Sequence, residues 1–203
     1  LVIMEAFMFL YHRQFSDLKE LIESEKYGKM LFVDASFGFP HLSKDDIRYS
    51  KELAGGALND AGAYTICAIL YLLGSDSELI FSDLNTEDGY DVDTSGMAIF
   101  KKDNIKAVCK WAMGGSYKNE INIWCEKGHI IVDRAFSKPE TYDSEIKITH
   151  NGRLVERIAS RRDNHFVNMM NEFVRLVSLS IITKSASKII KQREILDDFG
   201  SYS

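Results

Sequence analysis

The feature that most constrains the fold is a two-residue alternation of apolar and polar side chains in the second half of the chain. Because successive side chains of a β-strand point to opposite faces, this alternation predicts a strand at Ile105–Met113. The pattern continues in four shorter segments: residues 121–125, 130–132, 146–149 and 154–158. Asn151 and Gly152 between the last two segments are typical of a two-residue hairpin turn. The alternation therefore predicts a mostly antiparallel sheet.

Helical spacing of apolar residues flanks this predicted sheet on both sides. It predicts four helices: residues 15–28, with Gly28 as the stop, residues 57–73, residues 166–177 and Ser185–Asp198. Two apolar runs predict further strands: residues 2–9 and Met30–Phe39. The predicted fold class is α+β, a large, mostly antiparallel open sheet of about six or more strands with helices on one face.

Composition narrows the class of protein. With 203 residues, of which 45% are hydrophobic, the chain can bury the core of one domain. The net charge is −5 and basic residues form no cluster, which argues against nucleic acid as a partner. The apolar run at residues 64–73 is about half the length of a bilayer span, so it predicts a buried helix and no membrane insertion. Three widely spaced cysteines without a CxxC pair predict a reducing, cytoplasmic location.

Two kinds of binding site are disfavoured by the motifs. Residues 91–96 begin like a calcium loop, but Lys102 stands where such a loop needs a bidentate glutamate, so we predict a solvated turn before a strand and no metal site. The chain contains no G-x-G-x-x-G and no P-loop, so nothing in it is predicted to hold a dinucleotide pyrophosphate. Cofactor-binding residues therefore cannot be assigned in this chain.

The most informative segment runs from Gly55 to Tyr64. Gly55 and Gly56 permit a close backbone approach just before a helix. Asp60 falls in the first turns, and Tyr64 follows four residues later on the same helical face. A phenol with a pKa of about 10 is protonated at neutral pH and can donate its proton to a developing alkoxide. On spacing alone, a helix cap with a buried tyrosine remains the alternative interpretation.

Several segments resemble, in matching order, the second domain of Gfo/Idh/MocA-type NAD(P)-dependent oxidoreductases. The similarity is carried by EAFM at residues 5–8 with His12 and Gln14 after it, by GGALNDAGAY at residues 55–64, and by IWCEKG and IVDRAF at residues 123–128 and 131–136. The last two segments are similar to the branch of nucleotide-sugar 3-ketoreductases. The chain departs from the family pattern at Leu10, Arg13 and Ala54, where relatives often carry Arg, Pro and Gly.

The resemblance implies a function and a role for each matching residue. It implies that the complete enzyme reduces a keto group of a nucleotide-linked hexose, with Tyr64 as the proton donor and Asp60 beside it. It implies substrate-binding roles for the other matching positions: His12, Gln14, Arg48, Gly55 and Gly56. For His12, Gln14 and Arg48, a hydrogen-bonded structural role is the alternative.

The resemblance also implies how the enzyme is organised. NAD or NADP binds to a Rossmann domain that precedes Leu1 in relatives and is absent here, so we expect no cofactor on this chain alone and no activity. Residues 1–203 form the substrate-binding and oligomerisation domain, and residues 1–10 form the strand that connects it to the Rossmann domain. The partners expected are a small sugar and a second copy, bound through the open sheet face.

Three other functions stay open at this point. The complete protein could be a polyol, free-sugar or dihydrodiol dehydrogenase of the same family. The chain could instead be a non-catalytic oligomerisation module. A calcium-binding or lectin-like sugar module is the third alternative.

Overall fold

The fold is organised by one eight-stranded sheet. A computed structural model describes residues 2–179 and 185–199. The strands are β1 (Met30–Phe39), β2 (Glu78–Asn85), β3 (Ser95–Lys102), β4 (Ile105–Met113), β5 (Lys118–Cys125), β6 (His129–Asp133), β7 (Glu145–His150) and β8 (Arg153–Ala159). Their order in the sheet is β2-β3-β4-β1-β5-β6-β7-β8, and every neighbouring pair is antiparallel except β1 and β4. The predicted α+β class and the mostly antiparallel open sheet are confirmed.

The helices cover one face of this sheet, as predicted. They are α1 (Arg13–Glu23), α2 (Ala63–Leu73), α3 (His165–Ser178) and α4 (Ser185–Asp198). Helix α2 packs on β1 and β4, and α4 packs on α2. Along β4, Ala107, Cys109, Trp111 and Met113 are buried beneath the helices, whereas Lys106 and Lys110 lie on the opposite, open face. The two-residue alternation in the sequence thus separates a covered face from an open one.

Burial also explains the long apolar stretch around α2. Lys51–Leu73 is long and apolar enough to cross a membrane, because an 18-residue window within it has a mean hydropathy of 1.3. However, 61% of this window is buried inside the protein. A central helix of a folded core shows the same composition, since it is surrounded by protein on most sides. The prediction of a buried helix at this position is confirmed.

The prediction of a strand at residues 2–9, which was expected to connect the chain to a preceding domain, is wrong. Residues 2–7 are neither helix nor strand, and Met8–Tyr11 forms a 3-10 helix. Phe7, Met8 and Phe9 are all buried, whereas consecutive residues of a strand point to opposite faces. This run is apolar because a compact turn places all three side chains in the core.

Two element boundaries also differ from the prediction. Helix α1 ends at Glu23 rather than near Gly28, because Glu25 adopts a left-handed φ of 48° and turns the chain towards β1. The helix predicted over residues 57–73 is present, but Leu58–Gly62 forms a π turn before α2. Strand β2 was not predicted. It is an edge strand whose Ile80 and Phe81 are both exposed, so its sequence shows no alternation.

Candidate active site

Gly55 and Gly56 bring the preceding loop against the start of the central helix. Gly55 N–H donates to Ser50 O and Gly56 N–H donates to Arg48 O, both at 2.8 Å. A Cβ atom at Gly55 would lie 2.5 Å from Arg48 O, and Gly56 has a φ of 111° that favours glycine. Both residues are therefore required by packing and both N–H groups are already engaged. Their contact with a substrate stays a prediction.

The same helix start is capped by a carboxylate from a distant part of the chain. Leu58 N–H donates to Asp93 Oδ2 at 2.6 Å, and Ala57 N–H donates to Asp93 O at 2.8 Å. Val92 and Thr94 on either side are buried, and burial raises the pKa of Asp93. The prediction of a solvated turn at residues 91–96 is therefore wrong for its centre, because Val92 and Thr94 are buried and Asp93 caps the helix. The sequence holds one hint, since the capping position is Ala57 and none of residues 55–58 has a side chain that can cap the helix.

Arg48 and Asp60, both predicted site residues, form an ion pair. Arg48 Nε lies 2.9 Å from Asp60 Oδ2, and its Nη1 lies 3.1 Å from Asp46 Oδ1. Asp46 also caps the short turn Ile47–Tyr49, because its Oδ1 accepts a hydrogen bond from Arg48 N–H at 3.0 Å. The guanidinium is thus held between two carboxylates at a partly exposed position. Its orientation is fixed before any ligand binds.

Tyr64 lies next to this pair, at the edge of an aromatic cluster formed by Phe7, Phe9, Phe37 and Phe136. The Tyr64 ring meets Phe7 edge-on at a centroid distance of 5.2 Å and Phe37 at 5.6 Å. The side chain is half-buried, and its Oη donates to Met8 Sδ at 3.6 Å. A thioether is a weak acceptor. Burial, and then the charge of Asp60, raise the pKa of Tyr64, so the phenol is protonated at neutral pH.

His12 and Gln14 are buried and make contacts of their own. His12 Nδ1 accepts a hydrogen bond from Gln14 N–H at 3.0 Å and so caps α1. Gln14 Nε2 donates to Asp133 O at 3.0 Å and to Glu145 O at 3.1 Å, which ties α1 to β6 and β7. The structural role considered for both residues is present. Direct contact with a substrate stays a prediction for each of them.

His12 lies beside two buried basic side chains, His165 and Lys138, that were not predicted from the sequence. His12, His165 and Lys138 are only 2%, 3% and 6% exposed, and the two imidazole rings lie 5.7 Å apart. Burial lowers the pKa of each histidine to about 4 and that of Lys138 to about 7. Within the described part of the chain, neither ring nitrogen of His165 has a hydrogen-bond partner. Both rings are therefore neutral at pH 7.

A surface groove of about 570 Å³ lies away from Tyr64, between α1 and β8. Its lining includes Arg13, Lys26 and Glu156 but none of the predicted site residues. Among residues 2–179 and 185–199, no group of three or more His, Cys, Asp and Glu side chains is placed to hold a metal ion. The groups available for chemistry at the candidate site are therefore the phenol of Tyr64, the carboxylate of Asp60 and the guanidinium of Arg48.

Comparison with known proteins gives a consistent result. A family model described as the GFO/IDH/MocA C-terminal domain matches residues 15–131. The chain is 28% identical over 200 residues to dTDP-3,4-didehydro-2,6-dideoxy-alpha-D-glucose 3-reductase from Streptomyces antibioticus, which covers 97% of the chain and 61% of that protein. It is 27% identical over 165 residues to D-xylose 1-dehydrogenase (NADP⁺) from Haloferax volcanii, over 80% of the chain and 50% of that protein.

A solved structure resembles the whole chain. It is that of a 3-ketoreductase from Actinomadura kijaniata in complex with NADP and TDP-benzene, with a TM-score of 0.94 and 26% identity. The match covers 100% of this chain and 62% of that one. The chain therefore spans about three fifths of the length of the dTDP-sugar 3-reductases that it matches, 61% of one and 62% of another.

Proposed function

The chain belongs to the GFO/IDH/MocA family and represents its C-terminal domain, and from this premise we propose that it is the substrate-side part of an NAD(P)-dependent sugar oxidoreductase. We propose that the complete protein reduces a keto group of a nucleotide-linked hexose. The observation that carries this proposal is the protonated phenol of Tyr64, half-buried beside the ion pair of Arg48 and Asp60. The relatives named as dTDP-sugar 3-reductases support the choice of substrate.

Reduction of a carbonyl requires a hydride at carbon and a proton at oxygen, and we assign only the proton to this chain. Tyr64 Oη would donate its proton to the developing alkoxide. Its hydrogen bond to Met8 Sδ is weak, so little is lost when the hydroxyl turns to the substrate. The charge of Arg48 lowers the pKa of Tyr64 and would stabilise the tyrosinate left behind. Asp60 disfavours that anion, so we propose that its contribution is to hold Arg48 in position.

The coenzyme would bind elsewhere in the complete protein. The chain has no G-x-G-x-x-G, and the N–H groups of Ala57 and Leu58 at the start of the central helix already donate to Asp93. These residues do not fit the pyrophosphate of NAD or NADP. We propose that a Rossmann domain joined to residues 1–10 carries it, and that residues 1–203 are the substrate-binding and oligomerisation domain of a cytoplasmic enzyme. Cys67, Cys109 and Cys125 are all buried among apolar side chains, which is compatible with a reducing compartment.

Helix α3 supports the presence of a neighbouring domain. Phe166, Met170 and Val174 form an exposed apolar row along it, at helical spacing. The helix also touches the N-terminal segment, since Asn168 Nδ2 donates to Tyr11 O at 2.9 Å. Exposed apolar rows of this kind mark contact surfaces. We propose that the coenzyme domain covers this row.

Tyr64→Phe in the complete protein tests the catalytic proposal. The exchange keeps the ring in the aromatic cluster and removes only the proton donor, so we expect kcat to fall by about 10²–10⁴-fold with an unchanged melting temperature. Tyr27→Phe, at the other end of the sheet, is the matched control and should leave kcat unchanged. Turnover at the unmodified rate in Tyr64→Phe would contradict the proposal and favour a non-catalytic oligomerisation module.

A substrate panel separates the branches of the family. We expect NADH or NADPH oxidation with a dTDP-linked keto-hexose, and little with free keto sugars. Substantial oxidation of D-xylose, a polyol or a dihydrodiol, with no reduction of the nucleotide-linked sugar, would instead assign the protein to one of the dehydrogenase branches. The relative named as a D-xylose dehydrogenase makes this comparison necessary.

A further inference from the structure

Arg134, in the turn after β6, is held in an unusual arrangement. It has a left-handed φ of 49°, a conformation that non-glycine residues seldom adopt. Its guanidinium carbon lies 4.7 Å from the centre of the Tyr117 ring and 5.7 Å from that of Tyr142. One nitrogen, Nη1, donates to Tyr117 Oη at 3.3 Å. Two aromatic faces therefore orient a partly exposed cation.

Within residues 2–179 and 185–199, the Arg134 guanidinium has no ion-pair partner. Among the residues that the structure describes, no carboxylate oxygen lies within 4.0 Å of its nitrogens, whereas Arg48, Arg157 and Arg162 each have such a partner. The neighbouring Asp133 is engaged differently, since it accepts hydrogen bonds from Arg134 N–H and from Tyr142 Oη. Most of the guanidinium N–H groups are thus available to an anion from outside the chain.

The turn that carries Arg134 is fixed at both ends. Before it, Gln14 Nε2 donates to Asp133 O at 3.0 Å. After it, Asn119 Oδ1 accepts from Phe136 N–H at 2.8 Å, and Asn119 Nδ2 donates to Ser137 O at 2.9 Å. A strained backbone conformation persists only where its surroundings impose it, and such residues cluster at ligand sites. The arrangement is therefore set before a ligand arrives, which reduces the entropy lost on binding.

The turn that carries Arg134 continues into the aromatic cluster around Tyr64. Phe136 meets the Tyr64 ring at a centroid distance of 6.3 Å and the Phe37 ring at 5.3 Å. One residue separates Arg134 from Phe136 along the chain, so their Cα atoms are at most about 7 Å apart. Arg134 and a wall of the Tyr64 cluster therefore belong to one short, fixed segment of the chain.

We propose that Arg134 binds the diphosphate group of the nucleotide-linked sugar. This inference rests on the proposed function, which supplies a substrate with a diphosphate next to the hexose. The planar guanidinium matches the oxygen geometry of phosphate and forms charge-assisted, bidentate hydrogen bonds with it. NAD(P) carries phosphates as well, so the two sources have to be distinguished by experiment.

The test is calorimetric titration of dTDP, thymidine and NADP into the 203-residue chain. For Arg134→Gln we expect the Kd for dTDP to rise on the order of tenfold to a hundredfold, and thymidine binding to be unchanged. Arg134→Lys keeps the positive charge but lacks the paired N–H donors of the guanidinium, so it should give a smaller loss of dTDP affinity. Arg153→Gln is the matched control, since Arg153 is exposed beside His150 at the opposite end of the sheet.

Three results would overturn the inference. The first is equal dTDP affinity in the unmodified chain and in Arg134→Gln. The second is a loss confined to NADP, and the third is no dTDP binding by the unmodified chain at millimolar concentration. Should Arg134→Gln fail to fold by circular dichroism, Arg134→Lys decides the question in its place. Failure of keto reduction with Arg134-dependent dTDP binding intact would count against the proposed function alone.

Discussion

The surroundings of Tyr64 at short range raise the pKa of a phenol that is already protonated at neutral pH. Burial among phenylalanine rings disfavours the tyrosinate, and the carboxylate of Asp60 disfavours it further. Arg48 acts in the opposite direction, yet its charge is shared with Asp46 and Asp60. The direction of the net shift means that the residue remains a proton donor through the neutral range. A reductase that depends on it should lose activity only at strongly alkaline pH.

Some site residues could be predicted from the sequence and others could not, depending on how far along the chain their partners lie. Asp60 and Tyr64 could be related because four-residue spacing places side chains on one helical face. The burial of Gln14 could not be predicted, because its acceptors at Asp133 and Glu145 stand 119 and 131 residues away. The setting of Arg134 could not be predicted either, although residues 131–136 match a family motif. Its two tyrosine neighbours come from separate loops that meet only in the folded chain.

The buried histidines predict a loss of stability in mild acid. His165 has a pKa of about 4 in the folded chain against 6.5 as its ordinary value, so the unfolded state binds more protons between these two pH values. The stability is present above pH 6.5 and is lost as pH falls towards 4. Lys138 and Asp163 face the same ring, and the lysine adds to the effect. His165→Phe should reduce the loss between pH 7 and 4.5 by about 2 kcal/mol.

Urea unfolding of both proteins at several pH values measures this difference. His150→Phe is the control for the removal of an imidazole, because His150 is exposed at a hairpin turn. Parallel profiles for the unmodified chain and His165→Phe would show that the ring is already charged, or solvated, in the folded state.

At the level of elements, the central helix depends on a cap that its own sequence lacks. Asp93 reaches Leu58 N–H from 35 positions further along the chain and joins the turn before β3 to the helix start. Asp93→Ala should lower the free energy of unfolding by about 1–2 kcal/mol, because it leaves an N–H group at a helix terminus without an acceptor. Urea unfolding would measure the change. Asp91→Ala in the same turn, where the side chain is exposed, should cost much less; equal losses would contradict the capping role.

The elements that the sequence predicted correctly are those whose local pattern agrees with their final environment. β4 lies between other strands and beneath the central helix, so its alternation matches its burial at Ile105–Met113, and the apolar run of β1 matches the central position of Met30–Phe39 in the sheet. β2 lies at an edge and lacks that pattern. Residues 2–9 show the opposite failure. Their apolar run has the composition of a strand, but they pack as a turn against side chains that the local sequence does not reveal.

At the scale of the whole molecule, the sheet has one covered and one open face. The open face is mixed: Lys110 pairs with Asp34 at 2.6 Å across β4 and β1, while Phe32 and Trp124 lie side by side on β1 and β5 with ring centroids 6.0 Å apart. An open sheet with exposed aromatic side chains is a surface that other protein covers in most folds. The predicted association through this face therefore has a specific candidate centre at the aromatic pair.

The last prediction concerns this pair. Trp124 is 61% exposed in the single chain, so Trp124→Glu should not disturb the fold, but in a dimer it would bury a carboxylate beside Phe32. Burying an unpaired charge costs several kcal/mol, which corresponds to a rise of the dimer Kd by about a hundredfold or more. Sedimentation velocity should show a dimer or larger assembly for the unmodified chain and a monomer for the variant. Leu53→Glu, at 64% exposure outside the sheet, should remain assembled. An unmodified chain that sediments as a monomer, or a Trp124→Glu variant that stays assembled, would contradict association through the open face, because an interface centred on Trp124 has to bury this side chain.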